Sequence, residues 1–275
     1  MASPFGIWRG PDFKALDFTT HPFLIDQWLR DTDTLMLIGK EGIGKSTLIF
    51  QLMAALTTGK SFLEEFAVLE PRPCIYVQLE GDKHETYKRL QAIEQSLGFD
   101  WERFTLIFQP FQNLQLDAGF DTFQQLIDQT ASKRCVLFID PFYALFGGSG
   151  NDDAIIKPVL NHLRIIRESW EASLVIGHHI RKAIFNPKIG SFMEEGAEDA
   201  LGSRLIGGWF DSTMLLTEGE GHLRFIRASK GRKGGYFDLL RCKGQEIVVD
   251  EEDSPVILFK PLLEVAPDCH KLLMW

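Results

Sequence analysis

Residues 35–47 constrain the fold of this chain more strongly than any other stretch. The aliphatic run Leu35–Ile38 precedes a glycine-rich segment, and Thr47–Thr58 is typical of an apolar helix that Gly59 closes. A strand, a tight loop and a helix in this order form a phosphate-binding loop, because the loop N–H groups and the positive end of the helix face the same anion. The predicted loop residues are Gly39, Lys40, Glu41, Gly42, Ile43, Gly44, Lys45, Ser46 and Thr47.

The loop also predicts its ligand. In the pattern G-x-x-x-x-G-K-S, the lysine contacts the β- and γ-phosphates of ATP and the serine hydroxyl binds Mg²⁺. Lys45 and Ser46 stand at these positions. A glycine-rich turn can match the pattern by chance, but the flanking strand and helix favour nucleotide binding.

Composition indicates an ordinary globular protein. With 275 residues, of which 45% are hydrophobic, the chain is long enough for one α/β domain over residues 1–275. Within it we expect a lead-in segment at 1–30 and a β-rich C-terminal part at 204–262. No N-terminal signal pattern and no apolar run of 18 residues occur, so neither secretion nor membrane insertion is predicted. The four cysteines form no C-x-x-C pair, which fits a reducing cytoplasm.

Strand and helix patterns alternate along the chain. Strands are predicted at 35–38, 74–80, 105–108, 136–140 and 173–177, and helices at 47–58, 83–97, 121–132 (with Asp121 as N-cap) and 153–172. After a polar loop that ends near 203, short strands are predicted at 212–216, 223–228, 236–241, 247–250 and 256–259. This order predicts a mostly parallel central sheet with helices on both faces and a C-terminal antiparallel meander.

Two acids follow buried strands. Val136–Ile139 ends in Asp140, which at the carboxyl edge of a parallel sheet would lie beside the phosphate-binding loop and bind Mg²⁺. The strand Ile75–Leu79 ends in Glu80, which would orient a water molecule for attack on the γ-phosphate if that strand lies beside the first one. The alternatives are an ordinary strand end for Asp140 and a helix-capping turn for Glu80.

These motifs together resemble the RecA-like ATPase superfamily, over roughly residues 20–245. Within it, they are similar to the branch of RepA-type hexameric replicative helicases and related DnaB-like and KaiC-like ATPases. The resemblance rests on the phosphate-binding loop, CIYVQLEGD with Glu80, VLFID with Asp140, LVIGHH with His178 and His179, GSRLIGGWFD at 202–211, and ASKGRKGG at 228–235. It implies a RecA-like fold that assembles into a homo-oligomeric ring, such as a hexamer, or a filament.

The resemblance also suggests roles for two histidines and two basic residues. His178 or His179 would sense the γ-phosphate, although neighbouring residues of a strand face opposite sides and a structural role is the alternative. Lys230 and Arg232, at positions i and i+2 of an extended segment, would reach the nucleotide of a neighbouring subunit. A nucleic-acid-binding turn and a solvated hairpin tip remain open for this pair.

The net charge of −9 argues against a surface that is basic throughout, so any contact with DNA must be local. Arg181, Lys182 and Lys188 lie in the loop after the histidines, where single-stranded DNA would bind, but four acids follow them in the same loop. A second candidate loop spans 143–157 and contains little positive charge.

The predicted function is ATP hydrolysis at subunit interfaces coupled to single-stranded DNA, as in a replicative DNA helicase. Two alternatives remain: a nucleotide-switched regulatory ATPase or recombination mediator that binds a protein partner, and a P-loop kinase. Glu80 and the Lys230–Arg232 pair disfavour the kinase, because a kinase excludes water from its site.

Overall fold

The computed structural model describes most of the chain. Its described residues are 9–15, 22–108, 113–130, 133–179, 185–186, 191–192, 203–219, 223–231, 239–247 and 256–262.

Thirteen strands and six α-helices are present in these residues. The strands are β1 (Phe23–Ile25), β2 (Leu29–Arg30), β3 (Thr34–Gly39), β4 (Cys74–Gln78), β5 (Phe104–Phe108), β6 (Val136–Asp140), β7 (Ser173–His179), β8 (Phe185–Asn186), β9 (Ser191–Phe192), β10 (Ser212–Glu218), β11 (Leu223–Gly231), β12 (Leu239–Ile247) and β13 (Val256–Pro261). The α-helices are α1 (Gly10–Lys14), α2 (Lys45–Thr58), α3 (Lys83–Leu97), α4 (Asp117–Thr130), α5 (Asp153–Trp170) and α6 (Arg204–Trp209). Two 3₁₀ turns span Trp101–Arg103 and Phe142–Leu145.

Nine strands form one sheet in the order β13-β12-β11-β10-β3-β7-β6-β4-β5. The six strands from β10 to β5 are parallel, and β10 to β13 form an antiparallel meander. Parallel strands place all their carboxyl ends at one edge, so the residues that follow β3, β7, β6 and β4 meet there. The predicted α/β architecture is confirmed.

Helices cover both faces of the sheet. One hydrophobic cluster contains α2, part of α3 and the aromatic residues of the lead-in hairpin, and Trp28 packs edge-on against Phe62 at a centroid distance of 4.7 Å. The other cluster contains α4, α5 and Ile206 of α6. Burial on both faces explains why β3 and β6 are apolar along their whole length rather than alternating. None of the described helices is long and apolar enough to cross a membrane.

The expected position of the strand before Glu80 is wrong. This strand, β4, does not lie beside β3, because β7 and β6 stand between them. It pairs with β6 instead, and Gln78 is opposite Asp140. Glu80 therefore approaches the phosphate-binding loop from the Asp140 side of the site.

The predicted start of helix α4 is also wrong. The helix begins at Asp117, so Asp121 lies in its second turn and is not the N-cap. Gly119 does not interrupt the helix, because it packs against the Asn113 carbonyl oxygen, where a Cβ atom would lie 2.2 Å away. The predicted helix end at residue 132 falls outside the described residues.

Two strands of the meander differ from the prediction. The segments 236–241 and 247–250 were expected as separate strands, but Leu239–Ile247 is one strand that continues through Gly244 because this residue pairs with Phe259 of β13. β11 continues past Ala228 to Gly231, so Lys230 lies in a strand, opposite Thr213, rather than in a turn.

The Gln51 side chain attaches β13 to helix α2. Its amide Nε2 donates to the Phe259 carbonyl oxygen at 2.9 Å, and its Oε1 accepts from the Phe259 N–H at 2.8 Å. Both groups are on a buried edge of the strand. The two hydrogen bonds replace the pairing that a further strand would supply.

We predict that Gln51→Leu lowers the free energy of unfolding by roughly 2–5 kcal/mol, since it leaves two buried backbone groups of Phe259 without a partner. Urea denaturation measures the change. The control is Gln95→Leu at an exposed position of α3, which should change stability by less than about 0.5 kcal/mol. Equal denaturation midpoints for the two variants would contradict the structural role of Gln51.

Candidate nucleotide-hydrolysis site

The phosphate-binding loop joins β3 to α2 and depends on two glycines. Gly42 and Gly44 have φ angles of 74° and 106°, in the left-handed region that other residues rarely adopt. At Gly44 a Cβ atom would also lie 2.4 Å from Cζ of Phe259. The backbone geometry and the packing of β13 therefore both require glycine immediately before Lys45.

Lys45 spans the loop with its ammonium group. Nζ lies 2.9 Å from the carbonyl oxygen of Gly39, 2.8 Å from that of Lys40 and 3.1 Å from Nδ1 of His179. Burial lowers the pKa of Lys45 to about 8, although the Asp140 and Glu41 carboxylates oppose this change. A buried cation held by neutral carbonyl oxygens is well prepared to bind phosphate anions.

Ser46 and Asp140 meet where α2 begins and β6 ends. The Ser46 hydroxyl donates to Oδ2 of Asp140 at 2.6 Å, and the Tyr76 hydroxyl approaches the same oxygen at 3.3 Å. Burial raises the pKa of the Asp140 carboxyl, while its hydrogen bonds and the Lys45 charge oppose the rise. Gly177 of β7 leaves room for the carboxylate, since a Cβ atom there would lie 2.5 Å from Oδ1.

A hydroxyl and a carboxylate in contact are the ligand types that Mg²⁺ uses in P-loop proteins, so these two residues fit the ion. Among the described residues, no group of three or more His, Cys, Asp or Glu side chains forms a metal site without help from a ligand. The remaining oxygens would come from the nucleotide phosphates and water.

The two histidines face opposite sides of β7, as neighbours in a strand do. His179 is opposite Gly39 in the sheet register and contacts Lys45. His178 packs edge-on against the Phe142 ring at 5.6 Å. Burial, followed by the Lys45 charge, lowers the pKa of His179, so its ring is neutral at pH 7. Because an ammonium only donates, Nδ1 of His179 accepts and its Nε2–H is the donor that can reach a phosphate oxygen.

Glu80 lies in the turn after β4, on the far side of Asp140 from Ser46. The buried side chain of Gln78 holds this turn, with Nε2 donating to the Glu80 carbonyl oxygen at 2.9 Å and Oε1 accepting from the Thr86 hydroxyl at 2.7 Å. The Tyr143 hydroxyl donates to a carboxylate oxygen of Glu80. Desolvation and the nearby Asp140 and Glu41 charges raise the pKa of Glu80, as suits a group that takes a proton from water.

A cavity of about 610 Å³ opens above the phosphate-binding loop. It is large enough for a nucleotide. Its walls come from the loop, helix α3, the end of β7, β11 and β13; the lining residues outside the loop are Glu85, Lys88, Arg89, His179, Arg224, Val256, Ile257 and Phe259.

Four residues at this site were not anticipated from the sequence: Gln51, Tyr76, Arg224 and Phe259. Arg224 of β11 donates from Nε to the Ile43 carbonyl oxygen at 3.3 Å and pairs with Glu218 at 3.6 Å. Arg224 and Phe259 come from the C-terminal meander, more than 170 positions after the loop, so no local pattern indicates their contacts with it. Gln51 carries a weak signal, because a polar residue within an apolar helix must find a partner.

Several predicted residues are not brought to this site. Arg181, Lys182, Lys188 and Arg232 lie outside the described residues. Lys230 is opposite Thr213, which pairs with Met36 at the start of β3 rather than with its end. Lys230 is thus near the amino edge of the parallel strands, while the phosphate-binding loop is at the carboxyl edge.

Comparisons with known proteins agree with the class of protein that this site defines, a P-loop ATPase. Residues 12–183, more than half of the chain, match the AAA domain family. The chain belongs to this family. No curated protein sequence matches it.

A solved structure of the ATPase domain of a DnaB-like helicase superimposes with a TM-score of 0.53 at 12% sequence identity, over 78% of this chain and 81% of that one. At this identity the likeness concerns the fold, and it confirms the resemblance to RecA-like ATPases of the DnaB-like branch.

The Lys45 pKa predicts how nucleotide affinity changes with pH. Phosphate favours the ammonium form, so binding is strongest below about pH 8 and weakens roughly tenfold for each pH unit above it, because a proton must then be taken up. Calorimetry with ADP in two buffers of different ionisation enthalpy would detect this uptake.

Lys45→Ala should bind nucleotide weakly at every pH and lose this proton uptake, whereas Lys133→Ala, an exposed control far from the loop, should behave as wild type. If Lys45→Ala retained wild-type affinity, Lys45 would not be a phosphate ligand.

Proposed function

We propose that this protein hydrolyses ATP at interfaces between its subunits and couples the reaction to single-stranded DNA, as a replicative DNA helicase of the RepA type. One observation carries the proposal. Lys45, Ser46, Asp140, His179 and Glu80 come from four segments of the chain and converge at one sheet edge, beside a cavity that fits a nucleotide. A phosphate cradle with an acid that can activate water favours hydrolysis over transfer to another acceptor.

Binding would begin with an exchange of partners at Lys45. Its ammonium would leave the carbonyl oxygens of Gly39 and Lys40 for oxygens of the β- and γ-phosphates, which bind a cation more strongly because they are charged. The Nε2–H of His179 would donate to the γ-phosphate from the neighbouring strand. Ser46 would bind Mg²⁺ directly and Asp140 would hold it through water, so that the ion neutralises charge on both phosphates.

Hydrolysis would then follow from the position of Glu80. The carboxylate would orient a water molecule and accept its proton as the water oxygen bonds to the γ-phosphorus. The bond from that phosphorus to the bridging β-oxygen breaks, which gives ADP and inorganic phosphate, and the proton passes from Glu80 to solvent. Lys45 and His179 would stabilise the charge on the transferred phosphoryl group.

The place of Lys230 favours an oligomer. Lys230 lies roughly 10 Å along the strands and roughly 10 Å across the sheet from its own phosphate-binding loop, at the opposite edge. A lysine side chain cannot cover that distance, so Lys230 and Arg232 would act on the nucleotide of a neighbouring subunit. Such a contribution in trans is worth roughly 10³ to 10⁵ in rate.

The coupling to DNA separates the helicase from a nucleotide-switched regulatory ATPase. The net charge of −9 favours the regulatory alternative with a protein partner, whereas the resemblance to ring-forming ATPases favours DNA. For a helicase, we predict that single-stranded DNA raises ATP turnover severalfold and that the protein has the mass of a multimer in ATP. Turnover with and without an oligonucleotide, together with mass photometry, measures both, and duplex DNA of equal length is the control.

A monomer in ATP whose turnover ignores single-stranded DNA would contradict the helicase proposal. That outcome would favour the regulatory ATPase.

Completion of the site in trans predicts complementation between two inactive variants. Glu80→Gln should retain ATP affinity and lose hydrolysis, since an amide cannot accept the proton of the water. Arg232→Ala should fold and bind ATP but hydrolyse it roughly 10³-fold more slowly. In an equal mixture, about a quarter of the interfaces would pair an intact Glu80 with an intact Arg232, and activity should recover to about that fraction.

Native mass spectrometry would establish that mixed assemblies form. A mixture of such assemblies that stays as inactive as either variant alone would rule out completion in trans.

A further inference from the structure

The turn after β6 carries a residue that contacts Glu80 and has no part in the mechanism described so far. Phe142–Leu145 forms a 3₁₀ turn immediately beyond Asp140 and Pro141. Phe142 is fully buried in this turn and packs edge-on against Phe146 and Phe210 at centroid distances of 5.4 and 6.4 Å. This anchor fixes the position of the following residue, Tyr143.

Tyr143 extends from the turn over the site. Its side chain is 41% exposed, its ring lies 5.5 Å from the His179 ring, and its hydroxyl donates to a carboxylate oxygen of Glu80. His179 in turn contacts Lys45. Tyr143 therefore lies between the residue that would orient water and the residues that would bind the γ-phosphate.

Glu80 needs such a contact. Its backbone is held by Gln78, but the Glu80 side chain itself is exposed in a turn, where an unrestrained carboxylate would sample several rotamers. A hydrogen bond to one carboxylate oxygen selects among these rotamers and leaves the other oxygen to accept from water.

We propose that the Tyr143 hydroxyl positions the Glu80 carboxylate for the attack of water on ATP, an inference that rests on the proposed role of Glu80. Tyr143 is a positioning residue rather than a catalytic one, because it acts through Glu80. Its effect belongs to the hydrolysis step and not to nucleotide binding, since the contact is with the acid and not with the phosphate-binding loop.

Tyr143→Phe tests this directly, because it removes the hydroxyl and keeps the ring beside His179. We expect kcat to fall about fivefold to tenfold, while the Kd for ADP and the KM for ATP stay within about twofold. The matched control is Tyr87→Phe in helix α3, which removes an exposed hydroxyl that accepts from Gln91 and should leave kcat unchanged.

The decisive comparison is a double-mutant cycle with Glu80→Gln, measured with radiolabelled ATP so that slow turnover is quantified. If Tyr143 acts through Glu80, Tyr143→Phe should cause no further loss in the Glu80→Gln background. An equal loss in both backgrounds would overturn the inference, as would an unchanged or increased kcat in Tyr143→Phe alone. If Glu80→Gln itself hydrolysed ATP at the wild-type rate, the proposed role of Glu80 would fail instead, so the two failures are distinguishable.

Discussion

The hydrogen bond between the Ser46 hydroxyl and the Asp140 carboxylate joins the two halves of the site, and the other candidate residues are arranged around it. Ser46 belongs to the helix that follows β3, and Asp140 ends β6, two strands away. They meet only because the strands are parallel and end at the same edge. β7 lies between these strands and supplies both Gly177, which leaves space for the carboxylate, and His179, which contacts Lys45.

The C-terminal meander supports the same loop from the other side. Phe259 packs against Gly44, Gln51 holds the Phe259 backbone, and Arg224 donates to the Ile43 carbonyl oxygen. The stability of the meander and the geometry of the phosphate-binding loop are therefore physically coupled. β11 carries both Arg224, at its own phosphate-binding loop, and Lys230, near the opposite edge of the sheet, so one strand connects a subunit's own loop with the segment proposed to reach its neighbour.

Much of this arrangement is predictable from sequence because it depends on local patterns. The apolar runs before Gly39 and Asp140 require buried strands, and parallel pairing then brings their ends together. The order of the strands is not local. The prediction therefore placed the strand before Glu80 beside β3, although it lies beyond β6.

Tertiary contacts override local signals elsewhere as well. Gly119 and Gly244 both resemble breaks in the sequence. One lies within a helix against the Asn113 carbonyl oxygen, and the other pairs with Phe259 within a strand. The roles of Arg224 and Phe259 depend on contacts between distant parts of the chain, which a single sequence does not encode in any spacing.

The central claim is that the edge formed by β3, β7, β6 and β4 is a site for ATP hydrolysis. A crystal structure with Mg²⁺ and a non-hydrolysable ATP analogue tests it most directly. The account predicts that Lys45 Nζ leaves the Gly39 and Lys40 carbonyl oxygens for the γ-phosphate, that Ser46 binds the ion, and that a water molecule lies between Glu80 and the γ-phosphorus. A nucleotide bound elsewhere, or one bound here with Lys45 still on the two carbonyl oxygens, would contradict it.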